Sequence, residues 1–130
     1  MMKKRINSRQ KGARIEREAA KFLTSLGYPT TRAARNGVDG AADLVLPPTL
    51  AGVHVEVKGD ESIDIGTDAL YKALCQAEEA GVGQQSTCVL WHRKHRGWRL
   101  SWFDDDANCL TVAHRSEIKA YLHRLDQLGR

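Results

Sequence analysis

Apolar residues recur at helical spacing in three stretches of the chain. The first covers about residues 8–26, with Gly27 placed to end the helix. The second begins at Thr67 or Asp68, either of which can cap a helix, and runs to about residue 80, where Gly81 stops it. The third opens at Ser116. The inward stripes of these helices are Ile15, Ala19, Phe22, Leu23 and Leu26, then Leu70, Leu74 and Ala77, then Ile118, Tyr121, Leu122, Leu125 and Leu128.

Short apolar stretches bounded by glycine, proline or charged residues predict the strands. They cover residues 28–32, 43–46, 53–58, 87–91, 98–103 and 110–112. The order of helix, strands, helix, strands and helix predicts an α/β fold, with a central mixed β-sheet flanked by α-helices. A chain of 130 residues suits one packed core, so residues 1–130 are expected to form a single domain. Residues 1–7 are expected to be a mobile basic arm, and residues 35–41 a flexible loop.

Apolar and polar residues alternate strictly along residues 53–58. The valines at 53, 55 and 57 point one way, whereas His54, Glu56 and Lys58 point the other. A central strand of an α/β sheet is normally apolar on both faces, so this polar face needs either solvent or a function. The ordinary alternative is a salt bridge facing solvent on an antiparallel sheet, and Glu-x-Lys alone is common by chance.

Asp43 lies just ahead of this strand and strengthens the functional interpretation. If the chain turns back at Pro47 and Pro48, the two strands lie side by side and Asp43 comes within roughly 5 Å of Glu56. Two carboxylates so close repel each other unless a cation or a proton lies between them, and Mg²⁺ favours oxygen ligands of this kind. Lys58 could then orient an attacking water or stabilise charge on a phosphate. The pattern indicates metal-dependent phosphodiester cleavage, although an isolated acid at a strand edge is common.

Charge and cysteine content narrow the class of protein. The net charge is +4 with a pI near 9.1, and residues 1–35 hold ten lysines or arginines against two acids. Such clustering favours a nucleic-acid partner, although a solvated basic surface is the simpler alternative. No apolar run approaches the length of a membrane span, so a cytoplasmic protein is expected. The three widely spaced cysteines are expected to be buried free thiols rather than disulfides or zinc ligands.

Three motifs together resemble a known enzyme family. They are Lys11-Gly12-Ala13-Arg14-Ile15-Glu16-Arg17-Glu18, Asp43-Leu44-Val45 and Val55-Glu56-Val57-Lys58, in an order and spacing similar to the PD-(D/E)XK nucleases and especially the archaeal-type Holliday junction resolvases. The resemblance covers residues 10–60 well and the rest loosely. It implies a restriction-endonuclease-like fold and a homodimeric endonuclease that uses Mg²⁺, with Mn²⁺ able to substitute, to cut four-way DNA junctions. The acidic loop after Lys58 departs from the family, which tends to be basic there.

The resemblance also assigns roles to individual residues. Asp43, Glu56 and the carbonyl of Val57 would hold the metal, Glu16 would support it from the first helix, and Lys58 would position the nucleophilic water. The residues assigned to DNA contacts are Lys11, Arg14, Arg17, Arg32 and Arg35. Gln76 is either a support for the lysine or a plain surface residue.

Two other functions stay open on the sequence alone. The same chemistry could serve flaps, other branched intermediates or ordinary duplex DNA. The chain could also be a DNA-binding module of this fold without catalysis. One further pattern has no assigned role: Trp98, Leu100 and Trp102 share a strand face, which is typical of a core or of a subunit interface.

Overall fold

The computed structural model describes residues 8–33, 44–59, 62–93 and 97–128, with only the backbone of residues 8–11. Its helices are α1 (Ser8–Ser25), α2 (Asp68–Ala80) and α3 (Arg115–Leu128), with a short 3-10 helix at Pro48–Leu50. Its strands are β1 (Thr31–Arg32), β2 (Leu44–Val45), β3 (Val53–Gly59), β4 (Ser86–His92), β5 (Arg99–Phe103) and β6 (Cys109–Val112). The expected arm at residues 1–7 and loop at residues 35–41 fall outside these ranges.

The main sheet has the strand order β3-β4-β5-β6. β3 and β4 run parallel, and the other two pairs are antiparallel, so the sheet is mixed. Parallel neighbours need a crossover, and α2 supplies it between β3 and β4. The predicted α/β fold, a mixed sheet flanked by helices, is confirmed.

Helices cover both faces of this sheet. On one face, Val55, Val57, Cys88 and Leu90 form a core with α1 and α3. On the other face, Val89 and Trp91 pack against α2 and Ile63. The division follows from strand alternation, because paired residues such as Val57 and Leu90 share a face while their sequence neighbours share the other.

β2 does not lie where the sequence suggests. Within the described residues, β2 pairs with β1, through Leu44 opposite Arg32 and Val45 opposite Thr31, rather than with β3. Pro47 and Pro48 follow directly and have no backbone N–H to donate, so the chain leaves the ladder for the short 3-10 helix. The expected hairpin between β2 and β3 is therefore wrong for this part of the chain.

The helix ends follow the sequence signals closely. Gly27 has φ of 101°, a left-handed conformation that glycine adopts without strain, and it ends α1. The Thr67 side chain accepts a hydrogen bond from the Leu70 amide at the start of α2, and the Gly81 amide donates to the Ala77 carbonyl at its end. In the described ranges, no helix has the length and apolar content needed to cross a bilayer.

Two expectations about burial need correction. Leu128 belongs to the predicted inner stripe of α3 but is 69% exposed, because it is the last residue of that helix. Cys88 is buried as expected, and burial raises the pKa of its thiol to about 12, whereas Cys109 is exposed on the outer strand β6. Cys109 is thus accessible, a property that a test of assembly can use.

Candidate active site

The polar face of β3 (His54, Glu56 and Lys58) is not a solvent-facing surface. His54 is 5% exposed, and its Nε2 lies 3.1 Å from Oε2 of Glu56, whose side chain is 18% exposed. Gly81 at the end of α2 packs against the base of this side chain, since a Cβ at Gly81 would lie 3.0 Å from the His54 Cβ. The strand also runs parallel to its neighbour. The alternative of an exposed salt bridge on an antiparallel sheet is therefore wrong.

The partial burial of the Glu56 carboxylate has an energetic cost. Burying an ionised group is unfavourable unless hydrogen bonds or counter-charges compensate, and the imidazole of His54 supplies one such contact to Glu56. Hydrogen bonds from a second residue also orient carboxylates that bind metals. The sequence predicted the direction of His54 but not this role. Its position two residues before Glu56 on the same strand face was the available signal.

Lys58 lies near the carboxyl end of β3 and is half-buried. Its partner across the parallel ladder is Trp91, which is fully buried against α2. The carboxyl ends of parallel strands are where open α/β sheets place their ligand sites. Glu56 and Lys58 share a face two residues apart, so the structure brings this acid and this base to that end of the sheet.

α1 crosses β3 at the same end. Gly59, directly after Lys58, packs so closely on α1 that a Cβ there would lie 2.5 Å from Cδ1 of Ile15 and 3.1 Å from Cγ1. The absence of a side chain at Gly59 is thus what allows α1 to lie against the strand. Glu16 follows Ile15, so the helix brings this acid to the end of β3 where Lys58 lies.

Replacing Gly59 with alanine is expected to lower the free energy of unfolding by about 1–3 kcal/mol, because the added methyl overpacks against Ile15. Chemical denaturation measures the loss. Ile15→Ala removes the opposing atoms, so the double variant should lose less than the sum of the single variants. Strict additivity would show that the two residues do not compete for the same space.

Glu16 is held by an arginine. Its side chain is 7% exposed, and Oε2 accepts a hydrogen bond of 2.7 Å from Nε of Arg32 on β1. Arg32 is paired in turn with Leu44, the residue that follows Asp43. The pairing brings the sequence neighbour of Asp43 close to Glu16. Asp43 itself lies outside the described residues, so its distance from Glu56 stays a prediction.

Glu16 and Glu56 approach from different sides of β3. Ile15 belongs to the core that α1 forms with Val55 and Val57, whereas Glu56 and Lys58 face α2. The helix that carries Glu16 therefore lies on the opposite face of the sheet from Glu56 and Lys58. This arrangement suits a supporting role for Glu16 better than a direct contact with Glu56.

The residues assigned to DNA are partly described. Arg14 and Arg17 are exposed on α1, and Arg14 lies 3.9 Å from Glu18 one turn later. The Nε of Arg32 is engaged by Glu16, which gives this residue a structural contact in addition to its expected phosphate contact. Lys11 belongs to α1 by its backbone alone, and Arg35 lies outside the described ranges.

Two further expectations concern α2 and the loop before it. Gln76 is exposed, while the buried positions of α2 are Leu70, Ala73, Leu74 and Ala77, which favours the plain surface residue of the two alternatives. In the acidic loop, Oδ2 of Asp64 lies 2.6 Å from Nη1 of Arg93, which follows β4. The charge of that acid is thus offset by the protein's own arginine.

The fold is similar to that of a solved archaeal protein. It is Hjc from Archaeoglobus fulgidus, a Holliday junction resolvase from an archaeal hyperthermophile. The TM-score is 0.48 and the identity 17%, over 85% of this chain and 96% of that one. No family model matches the chain, and no curated protein matches it in sequence. Residue roles in this chain therefore depend on its own geometry.

The described donors suit a hard divalent cation in type but do not complete a site. Glu16 and Glu56 offer carboxylate oxygens, the ligand type that Mg²⁺ prefers, and both are largely shielded from solvent. No group of three or more acidic, histidine or cysteine side chains arranged for a metal occurs among the described residues. Asp43, which would be the third carboxylate, lies outside them.

Proposed function

We propose that the protein is an endodeoxyribonuclease that uses a divalent metal to hydrolyse phosphodiester bonds in branched DNA, with four-way junctions as its substrate. One observation supports this most: β3 carries a half-buried acid in contact with a buried histidine, and a lysine follows the acid two residues later, at the carboxyl end of a parallel strand pair. A structural role alone would not require an acid, an imidazole and an ammonium on a face that an apolar strand could fill.

Mg²⁺ would bind to Glu56 and the carbonyl of Val57, together with Asp43. The ion would lower the pKa of a bound water and stabilise charge on the phosphate. Glu16 fits a contact to the water shell of the ion, because its helix packs at the end of β3 and its side chain is already engaged by Arg32. Mn²⁺ offers similar coordination and is expected to substitute.

The protein's own side chains supply positioning. Lys58 donates hydrogen bonds to the attacking water and to a phosphate oxygen, which fixes the direction of in-line attack. His54 holds Glu56 in one orientation. Arg14 and Arg17 on the exposed side of α1 bind flanking phosphates, and Lys11, Arg32 and Arg35 are assigned the same role. Two opposed strands of a junction call for two such sites related by a two-fold axis, so the active species is a homodimer.

Removing the imidazole of His54 should weaken metal binding. His54→Ala is expected to lower the affinity for Mn²⁺ by about ten- to a hundredfold, because Glu56 loses the hydrogen bond that orients it. Titration calorimetry measures the affinity without DNA. His54→Gln can still donate a hydrogen bond and should recover part of it. Equal affinity in all three proteins would remove His54 from the site.

Cleavage assays on defined DNA test the proposed function. The protein is incubated with labelled four-way junction, flap and linear duplex of matched sequence, with Mg²⁺, with Mn²⁺ or with EDTA. Paired symmetric nicks in the junction alone, lost in EDTA and in Glu56→Gln, are expected. Equal cutting of all three substrates would favour a general nuclease. Tight binding of the junction without cleavage under any metal condition would favour a non-catalytic DNA-binding module.

A further inference from the structure

The outer strand of the sheet at the far side from β3 is unprotected. β6 is the last strand in the order β3-β4-β5-β6, and within the described ranges no strand pairs with its outer side. Its residues, Cys109-Leu110-Thr111-Val112, include no charge and no proline, which are the usual means of preventing edge-to-edge pairing. Cys109 and Leu110 are also exposed. A strand of this composition is a template for pairing with another strand.

Exposed apolar side chains gather next to this strand. Together with polar residues, they line a groove of about 660 Å³ between the end of α2, the β5–β6 turn and the second half of α3, here called the edge groove. Leu110 is 41% exposed in the edge groove, Leu128 69% and Val82 83%. Trp102 and Tyr121 stack beside them with ring centroids 3.8 Å apart. Clustered exposed apolar groups of this kind mark interaction surfaces.

The charges at the two ends of β6 indicate which strand would pair there. Asp105 and Asp106 precede β6 in an exposed turn, and His114 and Arg115 follow it. When two copies of β6 run antiparallel, the acidic end of each lies beside the basic end of the other. Asp105 and Asp106 lie in the turn before β6 and Arg115 in the first turn of α3, so these charges flank the paired strands and are not part of the ladder. The segments that flank the strand are thus opposite in charge, which favours an antiparallel arrangement of two copies.

We propose that β6 pairs antiparallel with β6 of a second copy, with Leu110 facing Leu110 across the two-fold axis. The two four-stranded sheets become one sheet of eight strands. This register keeps the α3 faces of both copies on the same side, because paired residues share a face. Leu110 of each copy is then covered by the other, and both edge grooves open on one side of the dimer. An isologous contact of this kind closes at two subunits.

The β6 pairing specifies which surface would join the homodimer of the proposed function. It does not depend on nuclease activity. β6 and the edge groove are separated from β3 by β4 and β5. A protein that dimerises through β6 and cuts no DNA would therefore keep this inference and reject the nuclease, and a monomeric nuclease would do the reverse.

Sedimentation velocity tests the dimer. The wild-type chain is expected to sediment at twice its monomer mass of 14.5 kDa. Leu110→Lys places two ammonium groups against each other on the axis and is expected to shift the protein to monomer, with a circular dichroism spectrum that shows the chain still folded. Ile65→Lys, at an exposed apolar residue away from β6, serves as the matched control and should stay dimeric. A wild-type monomer, or a dimer insensitive to Leu110→Lys, overturns the proposal.

Disulfide trapping tests the register. With Leu110 on the axis, the native Cys109 faces residue 111 of the second copy, so Thr111→Cys should form covalent dimers on mild oxidation. Val112→Cys probes the register shifted by one residue and should not, and Lys72→Cys on exposed α2 controls for random collision. Cys109→Ser in the Thr111→Cys background removes the expected pair. Covalent dimers from Val112→Cys or Lys72→Cys, but not from Thr111→Cys, contradict the proposed pairing.

Discussion

Replacing Lys58 with methionine is expected to lower the single-turnover rate of junction cleavage by about 10³-fold, while junction binding changes little. Methionine keeps the apolar stem of the side chain and loses the ammonium group, so the packing beside Trp91 is retained. Removing one preorganised donor from developing charge in an active site costs about 10²–10³-fold in rate, and Lys58 also orients the water. Rapid-quench measurements at saturating Mg²⁺ and excess protein give the rate directly.

Lys72→Met is the matched control for this variant. Lys72 is exposed on α2, so its loss removes the same charge from the chain without touching the polar face of β3. We expect the control to cut at the wild-type rate, with at most a small change in salt dependence. A Lys58→Met protein that cuts as fast as the control would take Lys58 out of the chemistry.

Replacing Trp91 with alanine is expected to lower the free energy of unfolding by about 3–5 kcal/mol. The side chain is fully buried between β4 and α2, and its Nε1 donates a hydrogen bond of 2.9 Å to Oγ of Ser101. That hydroxyl also lies 2.6 Å from Oγ1 of Thr111. The variant thus opens a cavity and disturbs a buried polar chain across three strands. Urea denaturation followed by circular dichroism measures the loss.

Trp98→Ala provides the comparison. Trp98 is half-buried and stacks on Phe22 with ring centroids 5.8 Å apart, so its removal exposes less and leaves no closed cavity. We expect less than half of the loss seen for Trp91. Since small domains are stable by only about 5–15 kcal/mol, Trp91→Ala should be close to unfolding while Trp98→Ala is not. Equal losses would mean that burial does not decide the outcome.

The helices and most strands could be predicted because their signals are local. Periodicity gives the buried face of a helix, and Gly27, Thr67 and Gly81 end or begin helices through backbone conformation and capping that act within a few residues. Leu128 was misplaced because periodicity does not show where the sheet beneath a helix ends. The partner of β2 was misplaced because strand pairing depends on distant residues.

In the candidate site, too, the features set by local sequence could be predicted and those set by distant residues could not. Alternation along β3 correctly put Glu56 and Lys58 on one face, since side-chain direction is fixed by the strand itself. The burial of His54 could not be predicted, because it depends on Gly81 at the far end of α2. The sequence left Gln76 as either a support for Lys58 or a surface residue, and its exposure follows from which side of α2 meets the sheet.

The position of β3 at the margin of the sheet has a consequence for strand cutting. In an assembly joined through β6, the two β3 strands lie seven strand spacings apart, or about 34 Å before twist is considered. Each catalytic centre would then be formed by the side chains of one subunit and would cleave its strand independently of the other. A hybrid made of one intact and one Glu56→Gln subunit should leave a singly nicked product, with the opposing strand whole.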